Sequence, residues 1–176
     1  MLLHVDTETT GLYRNDGDDL VEVAVVDDDG GVRLSTLVHP GRPIPACATA
    51  IHGITHEMVA EAPPADEVRR IVSDLCAGRR VVIYNANFDR QFLDLSKAAS
   101  INCCMLRFAK YYGEWNEYYG NYRWQKLGTA ALETGFRWPE SGAHRALADA
   151  LACRHVWRWL DAAERAAVPA VEHACT

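Results

Sequence analysis

Short apolar strands alternating with segments of helical period predict an α/β domain. Leu2 to Val5, Leu20 to Val26 and Arg80 to Tyr84 are compact apolar runs, while Val68, Ile71, Val72 and Leu75 recur at helical spacing between the second and third. At 176 residues, with 49% apolar and 24% charged side chains, the chain has the size and composition of one globular domain that buries its core without disulfides or structural metal.

The first strand ends in Asp6-Thr7-Glu8 and breaks at Thr9-Thr10-Gly11-Leu12, after which Tyr13 to Asp19 is a polar loop. Leu20 to Val26 is apolar at nearly every position, as in a strand covered on both faces. Asp27-Asp28-Asp29-Gly30-Gly31 is a tight turn, and Val32 to Val38 alternates like a hairpin partner nearer an edge. Four prolines and two glycines between His39 and Pro64 rule out a long regular element there. Ala65 to Cys76 is an amphipathic helix ended near Gly78, and Arg80 to Tyr84 a short buried strand. A second helix follows, with Asn87 as N-cap and Phe88, Phe92 and Leu95 on its core side. Ile101 to Met105 is read as a fifth strand, Leu127 to Gly135 as a modest helix and Arg137 to Gly142 as a break. The last helix runs from about Arg145 to Ala166, and Pro169 closes the fold. The domain is therefore placed at 1–168, with 169–176 a short tail.

Six cysteines are scattered, only Cys103 and Cys104 being adjacent, which gives neither a zinc pattern nor a secreted disulfide framework. No apolar run approaches the roughly 20 residues that span a bilayer, and no basic stretch precedes an apolar one at the N-terminus. A soluble, cytoplasmic protein without a membrane partner is expected. The net charge of −6 would argue against a polyanionic partner. Two bound divalent cations would add four charges and bring −6 to −2, so a nucleic acid substrate is not excluded, held by a short grip rather than a long basic track.

Asp6 and Glu8 project from the same side of an extended strand, at the end of an apolar run. Like charges that close cost energy unless a cation lies between them, and Mg²⁺ or Mn²⁺ suits carboxylate oxygen. Alone, the pair equally describes solvated acids at a strand end. His52, in Ile51-His52-Gly53-Ile54-Thr55, can be presented to a ligand or serve as a packing histidine. Asp89 falls in the first turn of a helix after a strand, a frequent ligand setting in α/β folds and also a place for a dipole-stabilising surface acid. Tyr111, Tyr112, Trp115, Tyr118, Tyr119, Tyr122 and Trp124 form a dense aromatic stretch. Such rings either stack bases of a single strand or pack over the sheet. Five helical residues rotate about 500°, leaving His144 and Asp149 some 140° apart within one helix. His144 must then come from the Gly142 loop, with Asp149 on the helix proper.

Asp6-Thr7-Glu8-Thr9-Thr10-Gly11-Leu12, Asn85-Ala86-Asn87-Phe88-Asp89 and His144-Arg145-Ala146-Leu147-Ala148-Asp149 resemble the three motifs of the DEDDh (DnaQ-like) 3′–5′ exonucleases, in order. Ile51 to Thr55 is similar to a segment those enzymes carry between the first two motifs. Arg145 stands where the sister subgroup has tyrosine, so the histidine form fits. Tyr84 and Cys103-Cys104 depart from the histidine and Asp-Thr of many members, and Gly113 to Leu127 resembles uncharacterised phage-type members. The resemblance implies a ribonuclease H-like fold: a five-stranded mixed sheet with one antiparallel strand and helices on both faces. It implies two ions about 4 Å apart that activate a water and stabilise the leaving 3′-oxygen. Asp6 would bridge both, Glu8 and Asp149 complete the more buried one, and Asp89 hold the other through water. His144 would take the proton from the attacking water. Thr9 and Gly11 would lie against the terminal nucleotide, Leu12 would act as a wedge and His52 would lie beside the last base, with Phe88 also among the substrate-binding residues.

The function so implied is metal-dependent trimming of single-stranded DNA from its 3′ end, releasing nucleoside 5′-monophosphates. Nothing identifiable reads a 2′-hydroxyl, so an exoribonuclease acting on RNA ends or short oligoribonucleotides is the alternative. A module that kept the fold and lost catalysis is a third reading, against which all five active-site residues stand intact. No long polymerase-docking extension follows the last helix, so a free-standing enzyme that needs no polymerase partner is expected. Oligomeric state is left open, a homodimer included.

Overall fold

The computed structural model describes residues 1–139 and 142–167, so the 169–176 tail lies outside the described residues. A five-stranded sheet has the order β3-β2-β1-β4-β5: β1 is Leu2–Thr9, β2 Leu20–Asp27, β3 Val32–Leu37, β4 Arg80–Ile83 and β5 Ser100–Cys103. β2 runs antiparallel to both β1 and β3, while β1, β4 and β5 are mutually parallel. The expected mixed sheet with one antiparallel strand is therefore present.

Alternation along β1 sorts the two faces. Leu3 and Val5 point to one side, where Val23, Val25, Val81 and Ile83 meet Val68, Val72 and Cys76 of helix α2 (Ala65–Cys76). The opposite face receives Val82 and Tyr84. There it packs on Phe108 of α4 (Cys104–Tyr112), Ala130 of α5 (Leu127–Glu133) and Cys153, Val156 and Leu160 of α6 (Ala146–Ala167). Ala146 and Ala150 of α6 lie against Ala24 and Val26, and these small residues let the helix approach β2 closely. α6 thus covers the face to which Asp6 and Glu8 point, and Asp149 sits in its first turn. Among the described residues no helix is long and apolar enough to cross a membrane.

Two expectations need correction, and two segments carry short elements that the sequence did not announce. The proline-rich loop contains a seven-residue helix, α1 (Ala46–His52), closed by Gly53 at φ 72°. The helix expected after β4 is a single turn, α3 (Ala86–Asp89), preceded by Asn85 rather than Asn87 and without a side-chain cap. Beyond it Gln91 and Phe92 bond three residues back, to Phe88 and Asp89. Phe92, Leu93 and Leu95 reach the core from irregular turns, because periodicity reports which side chains are buried and not which backbone carries them. The fifth strand ends at Cys103, and Cys104 and Met105 already belong to α4, a strand-to-helix junction with no glycine or proline to announce it. The aromatic stretch, finally, contains a miniature ladder, β6 (Trp115–Asn116) against β7 (Asn121–Tyr122).

Candidate active site

The site forms where β1 leaves the sheet. Asp6, Glu8 and Asp149 each offer a carboxylate oxygen, and these oxygens lie within 4.8 Å of one another. Two come from alternate positions of one strand and the third from the first turn of the helix laid across it. Asp89, only 3% exposed, approaches from α3. Thr7, on the other face of β1, donates its hydroxyl to Asp89 Oδ1 at 2.8 Å. Asp89 is outside the 4.8 Å trio, yet its charge is the largest electrostatic influence on Asp6.

Burial and like charge act together on these acids. Desolvation, reinforced by Asp89, Asp149 and Glu8, holds Asp6 well above the usual carboxylate range. Glu8 is pushed up to about 8 by desolvation and then by Asp149, Glu22 and Asp89. Asp89 is raised to about 7 by burial, against the pull of the Thr7 hydroxyl. Asp149 is raised to about 6 by burial, against the hydrogen bond from the His144 backbone. A half-buried set of oxygens at such spacing fits a hard divalent cation.

Glu22 was not singled out in the sequence. It lies opposite Glu8 in the β1–β2 register, nearly buried, and accepts from Arg145 Nη2 at 2.6 Å and Nε at 3.1 Å and 3.2 Å. It also accepts from the Ala146 backbone N–H at 2.8 Å, serving as a remote cap for α6. A lone acid inside an apolar strand was the signal that could have found it, since a buried charge requires a partner.

His144 precedes α6 rather than lying in it, as the rotation argument required. It is exposed, adopts φ 63°, and donates its backbone N–H to Asp149 Oδ1 at 3.2 Å. A non-glycine residue in the left-handed region is unusual, and Asp149 holds the turn that sets the imidazole at the mouth of the cleft.

The remaining candidates, Thr9, Gly11, Leu12, His52 and Phe88, line one cavity of about 360 Å³ that also includes Glu8. The turn beneath it is tight: Thr9 Oγ1 donates to the Gly11 carbonyl at 2.6 Å and Thr10 Oγ1 to Asp18 Oδ1 at 3.1 Å. A Cβ at Gly11 would collide with the Asp18 carboxylate, so a larger residue there must push that side chain out of its bond with Thr10. Leu12 stands exposed at the lip, and Phe88 packs on Phe92 with ring centroids 5.3 Å apart. His52 ends α1 and is buried. Its Nδ1 accepts the Ile54 N–H at 3.0 Å, leaving Nε2 without a hydrogen-bond partner among the described residues. In the neutral ring that assignment makes Nε2 a free donor, and burial lowers the tendency of His52 to protonate.

The family model described as exonuclease, RNase_T, matches residues 3–156. An uncharacterised exonuclease of Escherichia phage 186 is 40% identical over 174 residues, spanning 91% of this chain and 86% of that protein. Exodeoxyribonuclease 10 of Escherichia coli K12 is 42% identical over 96 residues, 53% of this chain and 40% of that protein. Among solved structures, exonuclease X in complex with 5′-overhanging duplex DNA superposes with a TM-score of 0.71 at 29% identity. It covers 97% of this chain and 95% of its own.

Proposed function

Because the chain belongs to the RNase_T exonuclease family, we propose that it is a 3′–5′ exonuclease that removes nucleoside 5′-monophosphates one at a time from single-stranded DNA. The observation that carries this reading is the convergence of Asp6, Glu8 and Asp149 within 4.8 Å beside the cavity of Thr9, Gly11, Leu12, His52 and Phe88. The family relationship adds hydrolysis of nucleic acid, and the names of exodeoxyribonuclease 10 and of the exonuclease X complex favour DNA over RNA.

Asp6, Glu8, Asp149 and, more remotely, Asp89 would hold two divalent cations, Mg²⁺ or Mn²⁺. When bound, such a pair supplies a nucleophilic water at neutral pH and positive charge for the leaving 3′-oxygen. The terminal nucleotide sits in the cavity, its sugar against the Thr9 to Gly11 backbone and its base between Phe88 and the free Nε2 of His52. Leu12 separates that base from its neighbour. His144 accepts the proton as water oxygen attacks phosphorus and the bond to the upstream 3′-oxygen breaks. Residues 1–168 form the catalytic unit in this reading.

A 5′-labelled oligodeoxynucleotide incubated with Mg²⁺ tests it. A ladder shortening by single nucleotides from the 3′ end, absent in EDTA, is expected. Fragments of mixed internal length, or a faster ladder on RNA of equal sequence, would overturn it.

A further inference from the structure

The terminal-nucleotide cavity leaves a second opening unused. A cleft of about 570 Å³ shares His144 and Asp149 with the carboxylate site, and its lining includes Tyr84, Trp124, Lys126 and Trp138. On the reading above, the scissile phosphate lies over the carboxylates, so the nucleotide on its 5′ side must rest on a surface that touches them and is not the terminal cavity. This cleft meets that requirement. A smaller one beside Glu22 and Arg145 touches none of the three carboxylates, and its guanidinium is already engaged by Glu22.

The wall of the cleft is built to hold a ring outward. Trp124 is 60% exposed between two fixed neighbours. Arg123 donates its backbone N–H to the Glu114 carbonyl at 2.8 Å and pairs with the Glu114 carboxylate at 3.4 Å. Gln125 reaches that carboxylate at 3.1 Å, and its own carbonyl accepts the buried Tyr84 hydroxyl at 2.8 Å. Tyr84 therefore ties the aromatic arm to the end of β4, beside the site. A large apolar ring left in water by a braced backbone, next to a cation in a protein of net charge −6, suits an aromatic anion.

We propose that this cleft is the subsite for the nucleotide immediately upstream of the cut, its base stacked on Trp124 and its phosphate drawn to Lys126. The proposal rests on the exonuclease reading, and its test separates the two. KM is measured for a hexadeoxynucleotide and for the same strand with an abasic penultimate residue, using the full chain, Trp124→Ala and Trp124→Phe. Dissociation constants are measured in EDTA by anisotropy of the 5′-fluorescein strands.

In the unaltered chain the missing base should raise both constants about tenfold, the effect of one lost stacking partner. Trp124→Ala should raise them about tenfold for the intact strand, with no further rise for the abasic one, because both changes remove the same contact. Trp124→Phe should restore most of the difference. Penalties that simply add, or an abasic penalty that persists in Trp124→Ala, would overturn the subsite. If the unaltered chain released no mononucleotide while the coupled binding effect remained, the exonuclease reading would fall and the cleft would stand as a base-stacking site without a cut.

Discussion

Glu8 and Glu22 face each other across the β1–β2 ladder, yet the protein treats them oppositely. Glu22 receives a forked guanidinium and a helix N–H, so its charge is neutralised from within and used to fasten α6 to the sheet. Glu8 is crowded by Asp149, Glu22 and Asp89, with Arg145 only a partial offset. An acid supplied with its own cation is structural; an acid left among others is, on the proposed reading, open to a cation from outside. The line between fold and chemistry runs between two glutamates in one register.

The sharpest break of this contrast is removal of a charge on the unpaired side. Asp6→Asn should lower single-turnover nucleotide release on the order of 10³-fold, comparable with loss of a major electrostatic element in other active sites. It should also leave metal-free melting unchanged or raised, because a repelled buried charge has gone. A lowered melting temperature in EDTA would show that Asp6 is held by attraction and contradict the assignment. His144→Ala removes an exposed side chain and should leave melting as it was, while nucleotide release falls about 10²-fold or more, the usual contribution of a positioned base. Near-normal release would take His144 out of the reaction.

On the paired side the expectation inverts. Glu22→Gln leaves Arg145 without its partner and loosens the cap at Ala146. Removing one member of a buried ion pair is costly, but Arg145 is about a third exposed, so a loss of roughly 2 kcal/mol is expected. For a domain of this size that lowers the melting temperature by about 4–8 °C. Urea denaturation with an unchanged midpoint would show that the fork does not fasten α6.

The same contrast explains what the sequence made legible. Asp6 and Glu8 were readable because a strand puts alternate residues on one face, and the position of His144 ahead of the helix because five helical residues cannot turn it and Asp149 to one side; Asp89 and Asp149 were legible through the motif resemblance. The Glu22–Arg145 fork joins residues 123 apart, and nothing local to either announces the other. Likewise α2 has its boundaries written in an amphipathic period, whereas the residues after Asp89 carry a helical apolar spacing on a backbone of turns. Apolar spacing states what must be buried, and the sheet accepts Phe92 and Leu95 from either backbone. The α4 start was hidden for the opposite reason, since β5 runs into it without a breaker.

The smallest effect tests the unpaired side through protons alone. Glu8 and Asp89 have folded values of about 8 and about 7, both above their unfolded ones, so between pH 6.5 and 8 the native state binds more protons than the unfolded chain. The slope of unfolding free energy with pH is then negative, and the metal-free protein loses stability as pH rises through this window. Below pH 6.5 the trend is offset in part. His4, buried and lowered to about 4 by desolvation, then binds protons only when unfolded and favours unfolding as pH falls. Solvent at the mouth of the cleft screens the carboxylates, so a decrease of about 1 kcal/mol from pH 6.5 to 8 is expected in EDTA. Saturating Mg²⁺ should flatten it, because a bound cation keeps the acids ionised at every pH in the window. Glu8→Gln should remove most of the slope, while Glu22→Gln, which takes away only one of the charges acting on Glu8, should remove a smaller part of it. A metal-free stability that stays level from pH 6.5 to 8 would mean that Glu8 is as well compensated as Glu22, and the distinction between the two glutamates would be lost.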